Sequence, residues 1–120
     1  MMKSLVVLMI EDEQPDSISA RKLVVETAKH NVITAYDAET GLRLLRRFPK
    51  VDAILVHASV IDAHENVLSE IKAIDPYVPI ILANPFRYAE SREASYVLDS
   101  HNPQQLLELL ITRIPERWRD

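Results

Sequence analysis

The sequence of 120 residues lacks cysteine and contains a single glycine. The absence of cysteine excludes a disulfide framework, a thiolate metal site and a thiol nucleophile, and it leaves the redox compartment open, with the cytoplasm favoured. Average usage would give roughly eight glycines in a chain of this length. Glycine-rich loops that cradle phosphates are therefore excluded, and with them the Walker-type and dinucleotide-binding classes.

An excess of basic residues and a long apolar run are also missing. The net charge is −4, whereas a nucleic-acid surface needs a basic balance, so we expect no nucleic-acid partner. The apolar run at residues 5–10 stops at Glu11, far short of the roughly 20 residues of a membrane span. We therefore expect a soluble, cytoplasmic protein without a membrane partner.

Five short apolar runs predict five strands. They cover residues 5–10, 31–35, 53–56, 79–83 and 95–98. The first run is continuous rather than alternating, which is typical of a strand buried on both faces of a parallel sheet. Helical patterns separate the runs, so the alternation predicts an α/β fold with helices on both faces of the sheet.

Helix signals occur between and after these strands. We expect the first helix over about residues 16–29, the third over residues 64–74 and the last over residues 103–114. The second helix is expected to begin after Asp37, a residue type suited to an N-cap. Its predicted apolar stripe consists of Ala38, Gly41, Leu42, Leu45 and Phe48, and its predicted exposed face of Arg43, Arg46 and Arg47.

Polar residues follow four of the predicted strands. Glu11 and Asp12 come after the first strand, His57 after the third, Asn84 after the fourth and Asp99 after the fifth. In open parallel sheets, ligands bind at the carboxyl ends of the strands. These five residues are therefore the candidate site.

Five motifs resemble the receiver domain of two-component response regulators. They are VLMIEDE at residues 7–13, AYD at 35–37, DAILV at 52–56, PIIL at 79–82 and YVL at 96–98. Their order and most of their spacings match along nearly the whole chain. The resemblance implies a flavodoxin-like (βα)5 three-layer sandwich with the strand order 2-1-3-4-5. It also implies a magnesium-dependent switch, in which an aspartate after the third strand accepts a phosphoryl group from a histidine kinase.

Three residues match the family by type. The acidic pair that holds magnesium in the family is present as Glu11 and Asp12, and the switch aromatic of the fifth strand is present as Tyr96. The resemblance therefore keeps magnesium binding by Glu11 and Asp12 among the expectations.

Three other positions depart from the family. The phosphoacceptor position carries His57, the switch hydroxyl is replaced by Asn84, and the phosphate-binding lysine is replaced by Asp99. The usual proline and glycine are missing after His57. Fourteen residues separate Asn84 from Asp99, which is fewer than the family usually has, so the fourth helix is expected to be short or irregular.

The departures predict a degenerate pseudo-receiver that is not phosphorylated at the usual site. An imidazole cannot form an acyl phosphate. A phosphoryl group carries about −1.5 to −2 at neutral pH, and Asp99 reverses the sign of a charge that neutralises it in the family. We expect His57 to replace magnesium electrostatically by pairing, as a cation, with Asp12 or Asp99.

Two alternatives stay open. One is a module that binds zinc, manganese or iron, which imidazole and carboxylate ligands suit better than magnesium. Its ligands would be Glu11, Asp12, His57 and Asp99. The other is a receiver phosphorylated at a displaced acceptor, either Asp62, which is expected in a loop, or Asp52. In the favoured interpretation no cofactor is required.

The expected protein is a single receiver-like domain over residues 1–120, without an output domain. We expect it to act in a two-component or phosphorelay system by protein–protein contact, either with a histidine kinase or another signalling protein or through a homodimer. It is not expected to be an enzyme, because the site lacks an activated nucleophile and an oxyanion device.

Overall fold

The structure, a computed structural model, describes residues 4–11, 20–84, 93–99 and 102–117. The strands in these ranges are β1 (Val6–Ile10), β2 (Asn31–Ala35), β3 (Ala53–His57), β4 (Ile80–Asn84) and β5 (Tyr96–Asp99). The helices are α1 (Ala20–Thr27), α2 (Ala38–Arg47), α3 (Ala58–Ala63), α4 (Val67–Ile74) and α5 (Pro103–Thr112). Along the described ranges, no helix has the length and apolar character needed to cross a membrane.

The strands form one parallel sheet in the order β2-β1-β3-β4-β5. This order confirms the predicted flavodoxin-like α/β fold. Each strand begins and ends within one residue of its predicted bounds. The segment expected to form a short fourth helix falls largely on residues 85–92, which lie outside the described ranges.

The strand β1 is buried on both faces of the sheet, which explains its continuous apolar run. Leu8 and Ile10 belong to the core cluster that α2, α3 and α4 cover. Val7 and Met9 belong to a second cluster on the other face, which α1 and α5 cover. A layer of helices shields each of these side chains from water, so these positions of the strand favour apolar residues.

The helix α2 begins as predicted. Asp37 is its N-cap, and the Asp37 side chain accepts a hydrogen bond of 2.6 Å from the Thr40 N–H. The backbone and side-chain hydrogen bonds from Thr40 hold the pKa of Asp37 below its usual value. Arg43, Arg46 and Arg47 are exposed, as their spacing predicted.

Gly41 lies where α2 packs against β1. A Cβ atom at this position would be 2.5 Å from Cδ1 and 2.7 Å from Cγ1 of Ile10. These distances are too short for carbon atoms, so the close approach of the helix to the strand requires glycine. The single glycine of the chain therefore has a packing role in a helix.

The prediction that Phe48 belongs to the apolar stripe of α2 was wrong. The backbone leaves the helical conformation at Phe48, with φ −124° and ψ 74°, and the residue is 47% exposed. Its ring lies beside the Arg47 guanidinium, whose carbon is 5.8 Å from the ring centroid. The stripe therefore ends one turn earlier, at Leu45.

The chain leaves α1 through a residue with positive φ. Lys29 has a φ of 69°, its N–H donates to the Glu26 carbonyl at 2.9 Å, and the His30 N–H donates to the Val25 carbonyl at 3.3 Å. This pair of bonds is the Schellman motif, in which glycine is the usual residue at the left-handed position. Here lysine occupies it.

The helix predicted over residues 64–74 is present as α4 (Val67–Ile74), but its predicted start at His64 was wrong and a further helix precedes it. Two helices, α3 and α4, connect β3 to β4, and His64 is the C-cap of α3 rather than the start of a helix. The His64 N–H donates to the carbonyls of Val60 and Ile61. Residues 58–63 contain no proline or glycine, so nothing in this segment interrupts a helical turn.

At the amino ends of the strands, buried and half-buried charged side chains connect neighbouring segments by hydrogen bonds. The Asp52 carboxylate is 6% exposed, and its two oxygens accept hydrogen bonds from the backbone N–H groups of Val6 at 2.8 Å and Arg117 at 2.7 Å. The Arg117 guanidinium donates to both oxygens of Asp75, at 2.9 and 3.1 Å, and to the Val51 carbonyl at 3.2 Å. Arg117 thus joins the loop before β3 to the loop before β4.

The balance of forces on Asp75 favours its charged form. Burial alone would raise the pKa of Asp75, but the hydrogen bonds from Arg117 and from the Tyr77 N–H, together with the charge of Arg117, outweigh burial and lower that pKa. The carboxylate is therefore an ionised partner of Arg117 well below neutral pH.

Candidate functional site

The structure brings four of the five candidate residues to one edge of the sheet. His57, Asn84 and Asp99 are the last residues of β3, β4 and β5, and Glu11 follows β1 directly. Asn84 and Asp99 are register partners in the β4–β5 pair. The fifth candidate, Asp12, lies outside the described residues.

Glu11 and Asn84 are enclosed by protein. Glu11 is 1% exposed and Asn84 5% exposed. The Glu11 N–H donates to the Ala35 carbonyl at 2.9 Å, which extends the β1–β2 pairing by one residue. Two of the polar residues at this edge are thus fixed in place and removed from bulk water.

The imidazole of His57 forms the N-cap of α3. Its Nδ1 atom accepts a hydrogen bond of 3.2 Å from the Ser59 N–H, and the Ser59 Oγ lies 2.7 Å from the same nitrogen. When Nδ1 accepts from the Ser59 N–H it carries no proton, and the proton of the neutral ring is then on Nε2. The ion pair of His57 with Asp12 or Asp99 that the sequence suggested needs a ring protonated on both nitrogens, and in that form Nδ1 could not accept this hydrogen bond.

Asp99 is the last residue of β5, and hydrogen bonds link it to the first residues of α5. Its N–H is 3.4 Å from Oε1 of Gln105, and its carbonyl accepts a hydrogen bond of 3.1 Å from the Asn102 N–H. Asn102 is the N-cap of α5 and accepts from the Gln105 N–H at 3.1 Å. The position of the family's lysine is therefore held by hydrogen bonds to the start of α5, with a carboxylate as its side chain.

Tyr96 is half-buried and packs against the core cluster covered by α1 and α5. It is the first residue of β5, three residues before Asp99. The aromatic residue that the family uses as a switch thus lies against the core in this structure.

The described residues do not assemble a metal site. Along these ranges, no three His, Asp or Glu side chains are placed to hold a metal ion. Glu11, His57 and Asp99 are all described, so these three do not form such a group by themselves. A magnesium site needs several oxygen ligands, and the position of the family's aspartate carries a ring whose Nδ1 caps α3.

The two displaced acceptors occupy different environments. Asp62 was expected in a loop, which was wrong: it is an exposed residue of α3. It lines a cavity of about 320 Å³ that also contacts Asn84 and Glu93. Asp52 lies at the opposite edge of the sheet, where both of its oxygens accept backbone hydrogen bonds.

The sequence interpretation missed Ser59 and the helix α3 in which it lies. The signal was present, because residues 58–63 lack the proline and glycine that would favour a loop. A histidine in front of this segment is a weak capping signal, since serine, threonine, aspartate and asparagine are the usual N-caps.

Similarity to known proteins is visible in the fold. A scan of protein-family models finds no match, and no curated protein matches the sequence. Among solved structures, a response regulator receiver domain protein from Clostridium thermocellum is similar with a TM-score of 0.70 and 20% identity, over 91% of this chain and 95% of that chain. A CheY-like receiver domain protein from Methanospirillum hungatei JF-1 has a TM-score of 0.70 and 19% identity, over 90% and 91%.

The chemotaxis protein CheY4 of Vibrio cholerae gives a third match of the same kind. Its TM-score is 0.68 at 22% identity, over 90% of this chain and 97% of that chain. These similarities show that the chain has the fold of receiver domains.

Proposed function

We propose that this chain is a receiver-like module of a two-component or phosphorelay system that acts by protein–protein contact and is not phosphorylated at the usual position. The observation that carries the proposal is the hydrogen bond from the Ser59 N–H to Nδ1 of His57. At the end of β3, where a receiver carries its acceptor aspartate, this chain has a side chain that caps a helix. The position serves the structure of the loop rather than transfer of a phosphoryl group.

Charge at the same edge supports the proposal. A phosphoryl group attached after β3 would lie near Glu11 and Asp99, without the lysine that neutralises it in the family. Each of these acidic groups would repel a phosphoryl group that carries about −1.5 to −2 charges. Binding of a signalling protein does not need this pocket to accept negative charge, so the module can act as a fixed docking surface.

Restoration of the family's residues tests the proposal. The wild-type chain and a triple variant, His57→Asp, Asn84→Thr and Asp99→Lys, are incubated with an acyl-phosphate donor and magnesium, and their intact masses are measured. We expect the wild-type mass to stay unchanged and the triple variant to gain one phosphoryl group. Asp62→Asn in the wild-type background is the matched control for the displaced acceptor on α3.

Each outcome is decisive. A phosphoryl group on the wild-type chain that His57→Ala removes would contradict the proposal, since the usual position would then be modified. A phosphoryl group that Asp62→Asn removes would instead establish the displaced acceptor on α3, the alternative in which the module signals by phosphorylation. The folded state of the triple variant is checked by its thermal unfolding transition, because an unfolded variant could not accept the group.

A further inference from the structure

An apolar cavity of about 340 Å³ lies at the amino end of β1, at the edge of the sheet opposite His57. Its apolar wall comes from two strands and from the loop between α2 and β3. The residues of this wall are Val6, Ile33, Phe48, Pro49 and Val51. Its volume is at the lower end of the range of ligand pockets, which suits a single large apolar side chain.

The mouth of this cavity is positively charged. Arg47 and Lys50 line it and are both exposed, and none of the described residues that line it is acidic. The guanidinium of Arg47 lies 5.8 Å from the centroid of the exposed Phe48 ring, and this contact holds the cation beside the opening. The cavity is thus a basic and apolar site on a chain whose net charge is −4.

The positive charge continues away from the cavity along α2. Arg43, Arg46 and Arg47 are all exposed on this helix, and four residues of helix extend about 6 Å along its axis. A small anionic molecule would need only the cations at the mouth. The three arginines extend along α2 away from the apolar cavity. This arrangement is complementary to an extended peptide that carries several negative charges next to one apolar side chain.

We propose that this cavity binds an acidic peptide segment of a partner protein. One large apolar side chain of the peptide fills the space between Ile33 and Phe48, and flanking carboxylates contact Arg47 and Lys50. The inference rests on the proposed function in one respect, because a module that signals by contact needs a partner. It is independent of the chemistry at His57.

A labelled peptide tests the proposal directly. The probe is a fluorescein-labelled hexapeptide with leucine and phenylalanine at its centre and two acidic residues on each side, titrated against the full chain by fluorescence anisotropy. We expect saturable binding that weakens as salt is added. In amide NMR spectra, the signals of Ile33 and residues 47–51 should shift.

Three variants separate the contributions of charge and cavity. Arg47→Glu and Lys50→Glu are each expected to lower the affinity by about fivefold or more, because an attraction becomes a repulsion. Phe48→Ser removes part of the apolar wall and is expected to abolish binding. All three side chains are exposed, so the fold should be retained. Arg113→Glu is the matched control, because Arg113 is an exposed cation at the end of α5, on the other face of the sheet.

Several results would overturn the inference while leaving the proposed function intact. One is the absence of binding, and another is binding that Arg47→Glu and Arg113→Glu weaken equally. A third is a shift of the same amide signals by decanoate but not by the peptide, which would identify a site for small anionic amphiphiles. A fourth is a concentration-dependent dimer that buries residues 47–51, which would assign the cavity to a second copy. Failure of the proposed function would appear instead as phosphorylation of the wild-type chain at His57.

Discussion

The Ser59 N–H donates a hydrogen bond of 3.2 Å to Nδ1 of His57, and the Ser59 hydroxyl oxygen lies 2.7 Å from the same nitrogen. This contact links the last residue of β3 to the first turn of α3. It explains how the chain builds a helix in the place where the sequence predicted a loop. The residue in the acceptor position therefore has a structural role.

Loss of the cap at His57 should weaken the fold. His57→Ala leaves the Ser59 N–H without its partner, and removal of an N-cap costs about 0.5–2 kcal/mol. His57→Asn keeps an acceptor at the same position and is the matched control. We expect urea denaturation to show a lower free energy of unfolding for His57→Ala only. Equal stability of all three proteins would contradict the capping role.

Gly41→Ala should destabilise the protein although alanine favours helices. The gain in helix propensity is about 1 kcal/mol, whereas overpacking costs about 1–3 kcal/mol because the new Cβ would lie 2.5 Å from Cδ1 of Ile10. Ile10→Val removes that methyl group. The double variant Gly41→Ala with Ile10→Val should therefore recover part of the loss, and thermal unfolding measures the coupling. A strictly additive double variant would argue against the close approach.

Lys29→Gly should stabilise the protein. Lys29 has a φ of 69°, a conformation that costs a residue with a Cβ about 1–2 kcal/mol. Glycine adopts it without this penalty, although it loses more backbone entropy on folding. We expect a net gain of about 0.5–1 kcal/mol in chemical denaturation. Lys29→Ala retains the Cβ and should show no gain, and a similar gain in both variants would refute the explanation.

The ion pair of Arg117 with Asp75 should make the free energy of unfolding depend on pH under acidic conditions. Because the pKa of Asp75 is lower in the folded protein than its usual 3.8, the contribution is complete above that value and is lost as the pH falls through the folded pKa. Asp75→Asn should reduce the free energy of unfolding at neutral pH by about 1–3 kcal/mol.

The control for this ion pair is the decline of the unfolding free energy as the pH falls, measured in two Asp→Asn variants. Asp75→Asn should flatten the decline between about pH 5 and pH 2, whereas Asp62→Asn, which removes an exposed carboxylate on α3, should leave it unchanged. A wild-type decline that survives Asp75→Asn undiminished would show that other carboxylates account for it.

Much of the fold could be predicted from the sequence because burial on two faces leaves an unmistakable pattern. The continuous run of β1 is apolar at every position, since both helical layers cover it. The N-cap Asp37 is a residue type that signals a helix start. The strand order followed from the resemblance to receiver domains and is confirmed by the pairing of the strands.

Other features could not be predicted because they depend on contacts between distant residues or on unusual residue choices. Arg117 and Asp75 are 42 positions apart, and no local pattern couples them. The left-handed residue after α1 is lysine, although glycine is the usual signal. The helix α3 begins at a histidine cap, a residue type seldom assigned this role.

For the candidate site, the sequence predicted positions but not contacts. His57, Asn84 and Asp99 were expected at one edge because parallel strands end together, and they do lie there. The partner of the His57 ring was not predicted. A hydrogen bond between residues two apart depends on the path of the backbone after β3, which the family's loop did not indicate.

The protonation of the His57 ring is the most direct test of the role assigned to it. A long-range proton–nitrogen NMR spectrum distinguishes an unprotonated acceptor nitrogen from one that carries hydrogen, and it can be recorded before and after addition of phosphoramidate and magnesium. We predict that Nδ1 is the unprotonated acceptor at neutral pH, that Nε2 carries the proton, and that neither signal changes on addition. A proton on Nδ1, or a phosphorylated ring nitrogen, would contradict the assignment of His57 as the cap of α3.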